Sequence, residues 1–228
     1  MATPLKLALC GAAGRMGLQI AELIRSDGRF RIVAGIDRVK PWSSPGTAPE
    51  AFRRADVVVD FSTAAASIVF AAHAAKARKP IVIGTTGFTP TQLKALKAAS
   101  RKVALLLSPN MSPGMNLLFA LARKAAAVLP DFDAVVYEVH HVLKKDAPSG
   151  SAKRLAEAIG GDVPTVSARA GDIVGDHTVL LAGPDERLEL VHRAHARRVF
   201  ARGALQAARW VAGRRPGLYS MADALGIG

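Results

Sequence analysis

An α/β protein, with a parallel-sheet domain followed by a smaller α+β, mixed-sheet domain, is the fold the sequence predicts, and three observations carry that expectation. Over the first 110 residues short β-rich runs alternate with alanine-rich helical runs. A glycine-rich turn links the first such run to the first helix. Beyond residue 111, short strands follow one another through Gly/Asp turns instead. With 228 residues, half of them apolar, the chain is long enough to bury a substantial core.

The β-rich runs of the first part are residues 6–10, 31–36, 56–61, 80–83 and 103–107, and residues 16–25 and 64–77 between them have helical periodicity. Strand and helix in turn build a parallel sheet with helices on both faces. Strands buried on both sides read as near-continuous apolar runs, as VVVDF and VALLL do. Residues 40–49 hold three prolines and are expected to form an exposed, irregular loop. After the SPNMSPG turn at 108–114, a helix is expected over 115–129 and a strand over 134–142. A second helix opens near Ser149, and several strands span 165–191 with turns at Gly171-Asp172, Gly175-Asp176 and Gly183-Pro184-Asp185. The last long helix, 198–212, is basic on its exposed side. The expected division is a first domain of residues 1–110 and a second of 111–213, with residues 214–228 returning to the first.

Composition excludes several classes. No apolar run approaches the ~18 residues of a membrane span, and the glycine-interrupted start does not read as a signal peptide, so a cytoplasmic protein with no membrane partner is expected. The single cysteine, Cys10, forms no internal disulfide and ends an apolar run, which reads as a buried, inert thiol. The formal charge is +13, and residues 187–215 hold eight arginines against one acid, Glu189. Nucleic acid is nevertheless not the expected partner. No zinc-finger, basic-zipper or RNA-recognition pattern is present, and the few Trp and Tyr residues are not interleaved with the basic ones. A positive field that attracts small anions accounts for the charge equally well.

Two segments carry candidate chemistry. The first is Gly11-Ala12-Ala13-Gly14-Arg15-Met16-Gly17, placed between the first strand and the first helix. Glycines let the backbone turn sharply and approach a pyrophosphate, and helix-start N–H groups carry partial positive charge toward it. The spacing departs from strict G-x-G-x-x-G at Ala13, and a ligand-free turn would look similar. Its place at the first strand and the acid Asp37, 20 residues past Gly17 at the end of the second, favour a Rossmann-type dinucleotide site. Asp37 is placed to accept the ribose hydroxyls of NADH. Arg38 is placed to meet the 2′-phosphate of NADPH, so both cofactors are expected, NADH somewhat favoured. Gly84-Thr85-Thr86 and Ser108-Pro109-Asn110-Met111 end the fourth and fifth strands, where ligands of open α/β sheets lie.

The second segment is Glu138-Val139-His140-His141-Val142-Leu143-Lys144-Lys145-Asp146-Ala147-Pro148-Ser149-Gly150-Ser151. If it begins extended, Glu138 and His140 share one face and Val139 and His141 the other, so the two histidines have different roles. A histidine supplies a proton near neutral pH, the lysines hold a carboxylate or polarise a leaving hydroxyl, and the helix start at Gly150 and Ser151 favours an anion. Taken singly, each of these residues also has a plain structural reading as strand end, solvated face or N-cap. His73, His177, His192 and His195 receive no catalytic role, and no His or Cys spacing supports a metal site.

These segments, GAAGRMG at 11–17, GTTGF at 84–88, SPNMS at 108–112, the His-Lys-DAPSG run, RAGDIVG from Arg169 and the closing GLYSMADAL, resemble the dihydrodipicolinate reductase family across nearly the whole chain. The resemblance implies reduction of 4-hydroxy-tetrahydrodipicolinate, a small cyclic dicarboxylate of lysine (diaminopimelate) biosynthesis, by NADH or NADPH in a homotetramer built through the second domain's sheet. It implies catalytic roles for His140 and Lys144, and substrate carboxylates held by His141, Gly150 and Ser151. It also implies cofactor contacts from Gly11, Ala12, Ala13, Gly14, Arg15, Met16, Asp37, Arg38, Gly84, Thr85, Thr86, Ser108, Pro109, Asn110 and Met111. The chain is shorter than the family pattern after the second strand and at 160–164, and has Ser151 where threonine is usual. Two alternatives stay open: a trimmed relative acting on another small imino or amino dicarboxylate, and a catalytically silent nucleotide- or nucleic-acid-binding protein.

Overall fold

A computed structural model describes residues 3–39 and 42–227. Contacts divide the chain into two compact units, Met1–Met111 with Phe200–Gly226, and a second built on Ser112–Val199. In chain order the first unit contributes β1 (Leu5–Cys10), α1 (Arg15–Ser26), β2 (Phe30–Ile36), α2 (Ala48–Arg54), β3 (Val57–Asp60), α3 (Ala64–Ala77), β4 (Ile81–Ile83), α4 (Pro90–Ser100) and β5 (Ala104–Leu107). The second contributes α5 (Pro113–Val128), β6 (Asp133–His140), α6 (Gly150–Ile159), β7 (Thr165–Arg169), β8 (Asp176–Gly183) and β9 (Glu186–Arg193). The chain then returns to the first through α7 (Arg198–Val211), β10 (Gly217–Tyr219) and α8 (Met221–Leu225).

The first unit is a six-stranded parallel sheet in the order β10-β5-β4-β3-β1-β2. Because side chains alternate across a strand, Leu7 and Leu9 enter one core with α1, α7 and α8, whereas Ala8 and Cys10 enter another with α2, α3 and α4. Both faces are therefore covered, and the apolar reading of the strands is explained. The Cys10 thiol is fully buried, and burial, followed by the Asp60 charge, pushes its pKa up. It is an inert core residue.

The second unit is a four-stranded mixed sheet in the order β7-β6-β8-β9, parallel only between β6 and β7. One face packs on α5 and α6 through Val136, Val179 and Leu181 with Leu118, Phe119 and Leu155. A two-residue turn at Pro184 and Asp185 joins β8 to β9, with Asp185 left-handed at φ 64°.

The structure differs from the sequence reading in three places. The return to the first unit begins at Phe200, not 214: Ala201, Ala204, Ala208 and Val211 of α7 are fully buried in the same core as Leu7 and Leu9. An amphipathic pattern shows that a helix buries a face, but not against which sheet. The expected loop at 40–49 begins with Lys40 and Pro41, which lie outside the described residues, and it does not stay irregular. A 3-10 turn at Pro45–Thr47 leads into α2, with Ala48 and Phe52 buried. Proline is well tolerated in a first helical turn, where its missing N–H has no partner to lose. Lastly, the stretch between the fourth and fifth strands, for which no helix bounds follow from periodicity, forms α4, started by the reciprocal capping box of Thr89 and Gln92.

Candidate active site

The first unit presents its site residues at the carboxyl edge of the parallel sheet. Gly11, at φ 75°, turns the chain out of β1, and a Cβ there would lie 2.4 Å from the Phe61 carbonyl oxygen. At Gly17 a Cβ would stand 2.2 Å from the Gly11 carbonyl oxygen, so that glycine lets α1 start against the turn. Gly14 caps α1 without a side-chain hydrogen bond, and no acid stands in the first turn. The helix start thus carries its partial positive charge toward the turn with no capping side chain of its own. Asp37 closes the arrangement: Oδ2 accepts from the Ala13 N–H at 2.9 Å and Oδ1 from the Arg38 N–H at 2.7 Å.

Beside them lies a cavity of about 520 Å³, whose lining includes Gly11, Gly14, Asp37, Arg38, Ser62 and Thr63. Ser62, in that lining, is bonded to Asp60, which is fully buried and also accepts from Ser67. Burial raises its pKa, partly offset by those hydroxyls. Gly84 and Ser108 follow neighbouring strands, linked by Gly84 N–H to the Asp60 carbonyl and Ser108 N–H to the Ile83 carbonyl. Thr85 is buried and Thr86 exposed. Ser108 is buried and bonded to the Asn110 carbonyl at 2.7 Å, while Pro109 is exposed. The side chains of Ala12 and Met111 belong to the core, which leaves only their backbone to meet a ligand. An uncapped helix start, an acid and an arginine at one cavity fit a dinucleotide. A larger cavity of about 790 Å³, lined by Arg29, Arg202 and Arg209 among others, adjoins the amino end of β2. Ligands of open α/β sheets lie at the opposite, carboxyl ends, so the smaller cavity is the better candidate.

The second unit holds a buried cluster of titratable groups. Glu138 and His140 share the buried face of β6, and the Glu138 carboxylate is the centre of the site. Its Oε2 meets His140 Nδ1, and its Oε1 accepts from the Ser149 N–H at 3.3 Å and from Arg169 Nη1 at 3.0 Å. Burial pushes the Glu138 pKa up, but Ser167, Arg169 and His140 outweigh it and hold the carboxyl below the usual glutamate range. With Glu138 ionised, His140 Nδ1 is the donor and Nε2 carries the lone pair. Burial pulls the His140 pKa below the ordinary value, Glu138 opposes this, and the Lys144 and Arg169 charges add to it. Gly175 leaves room at Nε2, where a Cβ would stand 3.0 Å away.

Lys144 follows on the loop after β6 and is paired with Asp146 at 2.7 and 2.9 Å. His141 lies just beyond the strand, its Nε2 3.2 Å from Arg197 Nη2. Gly150 and Ser151 open α6, whose N-cap is Ser149. The structure therefore gathers Glu138, His140, Ser149 and, through Arg169, the Lys144 loop. It adds three residues that sequence reasoning passed over: Arg169, Arg197 and His177. His177 is the cross-strand partner of Glu138, stands edge-on to His140 with centroids 5.1 Å apart, and approaches Ser149 Oγ at 3.4 Å. A signal for Arg169 was present in the RAGDIVG motif. His177 offered none, because its neighbourhood to Glu138 exists only across the β6–β8 ladder. Glu138, His140 and His177 place ligand-type atoms within 4.8 Å of one another. Both Glu138 oxygens already accept N–H donors and a guanidinium sits on one, so the cluster is organised as a hydrogen-bond network.

Burial, followed by the His140 charge, lowers the His177 pKa to about 4. The unfolded chain, with an ordinary histidine near 6.5, binds this proton more readily than the folded one. The stability linked to the neutral ring is thus complete above pH ~6.5 and lost as pH falls toward 4, by at most about 3 kcal/mol. His177→Gln is expected to flatten the dependence of urea midpoint on pH across that window, and an undiminished slope would count against a buried neutral ring.

Comparison with known proteins gives a consistent result. Residues 5–111 match the family described as dihydrodipicolinate reductase, N-terminus, and residues 114–225 match dihydrodipicolinate reductase, C-terminus. The chain is 40% identical to 4-hydroxy-tetrahydrodipicolinate reductase of Aquifex aeolicus, over 97% of this chain and 99% of that one. It is 38% identical to the enzyme of the same name from Methanosarcina barkeri, over 98% and 100%. The first of these alignments runs over 264 positions against 228 residues here, so the relative carries segments that this chain lacks. In fold it is similar to a dipicolinate-bound dihydrodipicolinate reductase from Paenisporosarcina sp. TG-14, with a TM-score of 0.83 at 22% identity, covering 96% of this chain and 98% of that one. A meso-diaminopimelate dehydrogenase variant from Clostridium tetani is a more distant likeness, with a TM-score of 0.62 at 11% identity, covering 96% and 94%.

Proposed function

Because the chain belongs to the dihydrodipicolinate reductase family, we propose a division of labour for the NAD(P)H-dependent reduction of 4-hydroxy-tetrahydrodipicolinate to tetrahydrodipicolinate, in which the first unit holds the cofactor and the second handles substrate and protons. One hydride and one proton enter and one water leaves. When bound, the reduced nicotinamide supplies the hydride. The chain's own residues have two tasks, to hold a dianion and to deliver a proton.

The Gly11–Met16 turn holds the pyrophosphate on the α1 start, Asp37 takes the ribose hydroxyls, and Arg38, exposed at the cavity rim, takes a 2′-phosphate when NADPH is used. The segments at Gly84–Thr86 and Ser108–Met111 line the remaining length of the dinucleotide. In the second unit, His141 with Arg197 and the helix start at Gly150 and Ser151 hold the substrate carboxylates. His140 handles the proton at Nε2, the nitrogen left open by the Glu138 contact. Lys144 donates to the departing hydroxyl. Its ammonium has three donors, so pairing with Asp146 and contact with substrate are compatible. The observation that carries this reading is the Glu138–His140 pair, buried beside the Lys144 loop and the start of α6.

The open face of the second unit's sheet supports a homotetramer. Tyr137, Thr178 and Val191 are register neighbours across β6, β8 and β9 on the side away from α5 and α6, and Tyr137 and Val191 are exposed. Tyr137→Glu is expected to reduce the mass measured by sedimentation equilibrium from that of four chains; an unchanged mass would place the assembly on another surface. No helix among the described residues is long and apolar enough to cross a membrane. With its buried free thiol, the protein fits the reducing cytoplasm.

The test of function follows NAD(P)H oxidation with the condensation product of pyruvate and aspartate semialdehyde. His140→Ala and Lys144→Ala are each expected to lower kcat by about 10²–10⁴-fold with NADH affinity unaltered, and loss of NADH binding instead would show the roles to be misassigned. Asp37→Ala is expected to shift the ratio of kcat/KM values toward NADPH. An unmoved ratio would remove Asp37 from ribose recognition.

A further inference from the structure

The Arg169 motif has no part in the scheme above, although its first residue lies against Glu138 and the backbone that carries Lys144. Arg169 ends β7, in register with His140 on β6. Its guanidinium donates through Nη1 to Glu138 Oε1 at 3.0 Å, through Nε to the Lys144 carbonyl at 3.2 Å, and through Nη2 to the Asp146 carbonyl at 2.5 Å. The side chain is 19% exposed against 0% for Glu138. The segment between β6 and α6 that carries Lys144 contains neither helix nor strand. Two of its carbonyls, on Lys144 itself and two residues further on, are gripped by one planar cation. The same cation fixes the carboxylate that orients His140.

We propose that Arg169 is a positioning residue that sets the Lys144 ammonium and the His140 imidazole in register with each other. This rests on the reading of His140 and Lys144 as the proton-handling groups. The physical basis is the guanidinium's rigid fork. Five N–H donors in one plane reach the Glu138 carboxylate, the Lys144 and Asp146 carbonyls and the adjoining Ala168 carbonyl at once, whereas a lysine ammonium, a compact point charge on a flexible stem, does not reproduce that span. A misplacement of about 1 Å between reacting groups costs ~10²-fold in rate. The cation also contributes charge: Glu138, Lys144 and His177 face His140 along with Arg169, and of these only Glu138 favours the protonated ring.

Geometry and charge are separated by two variants of the full-length enzyme. Arg169→Lys keeps the charge and loses the fork. It is expected to lower kcat by about 10–100-fold, with NADH affinity, measured by fluorescence titration, unchanged. Arg169→Met loses both: kcat falls at least as far, and the limb of the pH–kcat profile that reports His140 moves to higher pH, because a neighbouring positive charge is gone. Hydrogen exchange at the amides of Lys144, Lys145 and Asp146 is expected to quicken in both variants. Unchanged kcat in Arg169→Lys, or unchanged exchange in both, would overturn the proposal. So would a fall in kcat confined to Arg169→Met, which would leave Arg169 as a charge only. If the wild-type chain fails to oxidise NAD(P)H with the substrate, the functional reading is what fails, and the exchange measurement still decides whether Arg169 holds the loop. Should Arg169→Met not fold, the Arg169→Lys comparison carries the decision.

Discussion

A carboxylate taken out of water is unfavourable by several kcal/mol unless donors replace its hydration, and the second unit is arranged around one such group. Glu138 is 1% exposed, and its oxygens are met by an imidazole N–H, a backbone N–H and a guanidinium. Each donor comes from a different piece of chain: the same strand two residues on, the start of α6, and the end of β7. Satisfying the buried charge therefore fixes where those pieces lie. The His140 ring and the start of α6 stand in a defined relation because both answer to the same oxygens. Removing one partner of such a buried pair leaves a charge uncompensated, which costs ~3–5 kcal/mol in comparable cases.

The two units present positive potential by different physics. In the first, backbone dipoles and a cavity do the work, and side chains mainly fill the core beneath. Asp37 is the exception: its carboxylate accepts from the Ala13 N–H, so the acid at the end of β2 also shapes the glycine-rich turn after β1. In the second unit the positive charges belong to side chains, with Arg197 beside His141 and Lys144 near His140. The excess of basic residues over the whole chain supplies a field suited to a dianionic substrate and a polyanionic cofactor.

Much of this architecture was readable from the sequence because it is local. The β1 turn, the pairing of Glu138 with His140 on one face of β6 and the Ser149 cap depend on residues within a few positions of one another, and Asp37 is marked by its place at the end of the very next strand. What escaped notice is what sheets and long returns create. His177 and Arg169 reach Glu138 from the two strands flanking β6, and no spacing along the chain encodes that. Arg197 lies near His141 although 56 positions separate them. Prolines that mark the entry of α2 read equally as loop residues, and the Thr89 and Gln92 capping box is the local signal that starts α4. The destination of α7 was misjudged for another reason: its small buried residues suit any flat apolar surface, so the sheet it covers is set by topology.

That destination bears on how the molecule comes into being. The face of the first sheet bearing Leu7 and Leu9 is sealed by a helix made after the whole second unit has been synthesised. At about 5–20 residues per second, a ribosome leaves that greasy surface partly uncovered for several seconds while Ser112–Val199, whose contacts are mostly its own, is free to collapse. The later-encoded unit is thus the one able to finish first, and the earlier-encoded one must wait for its last helix.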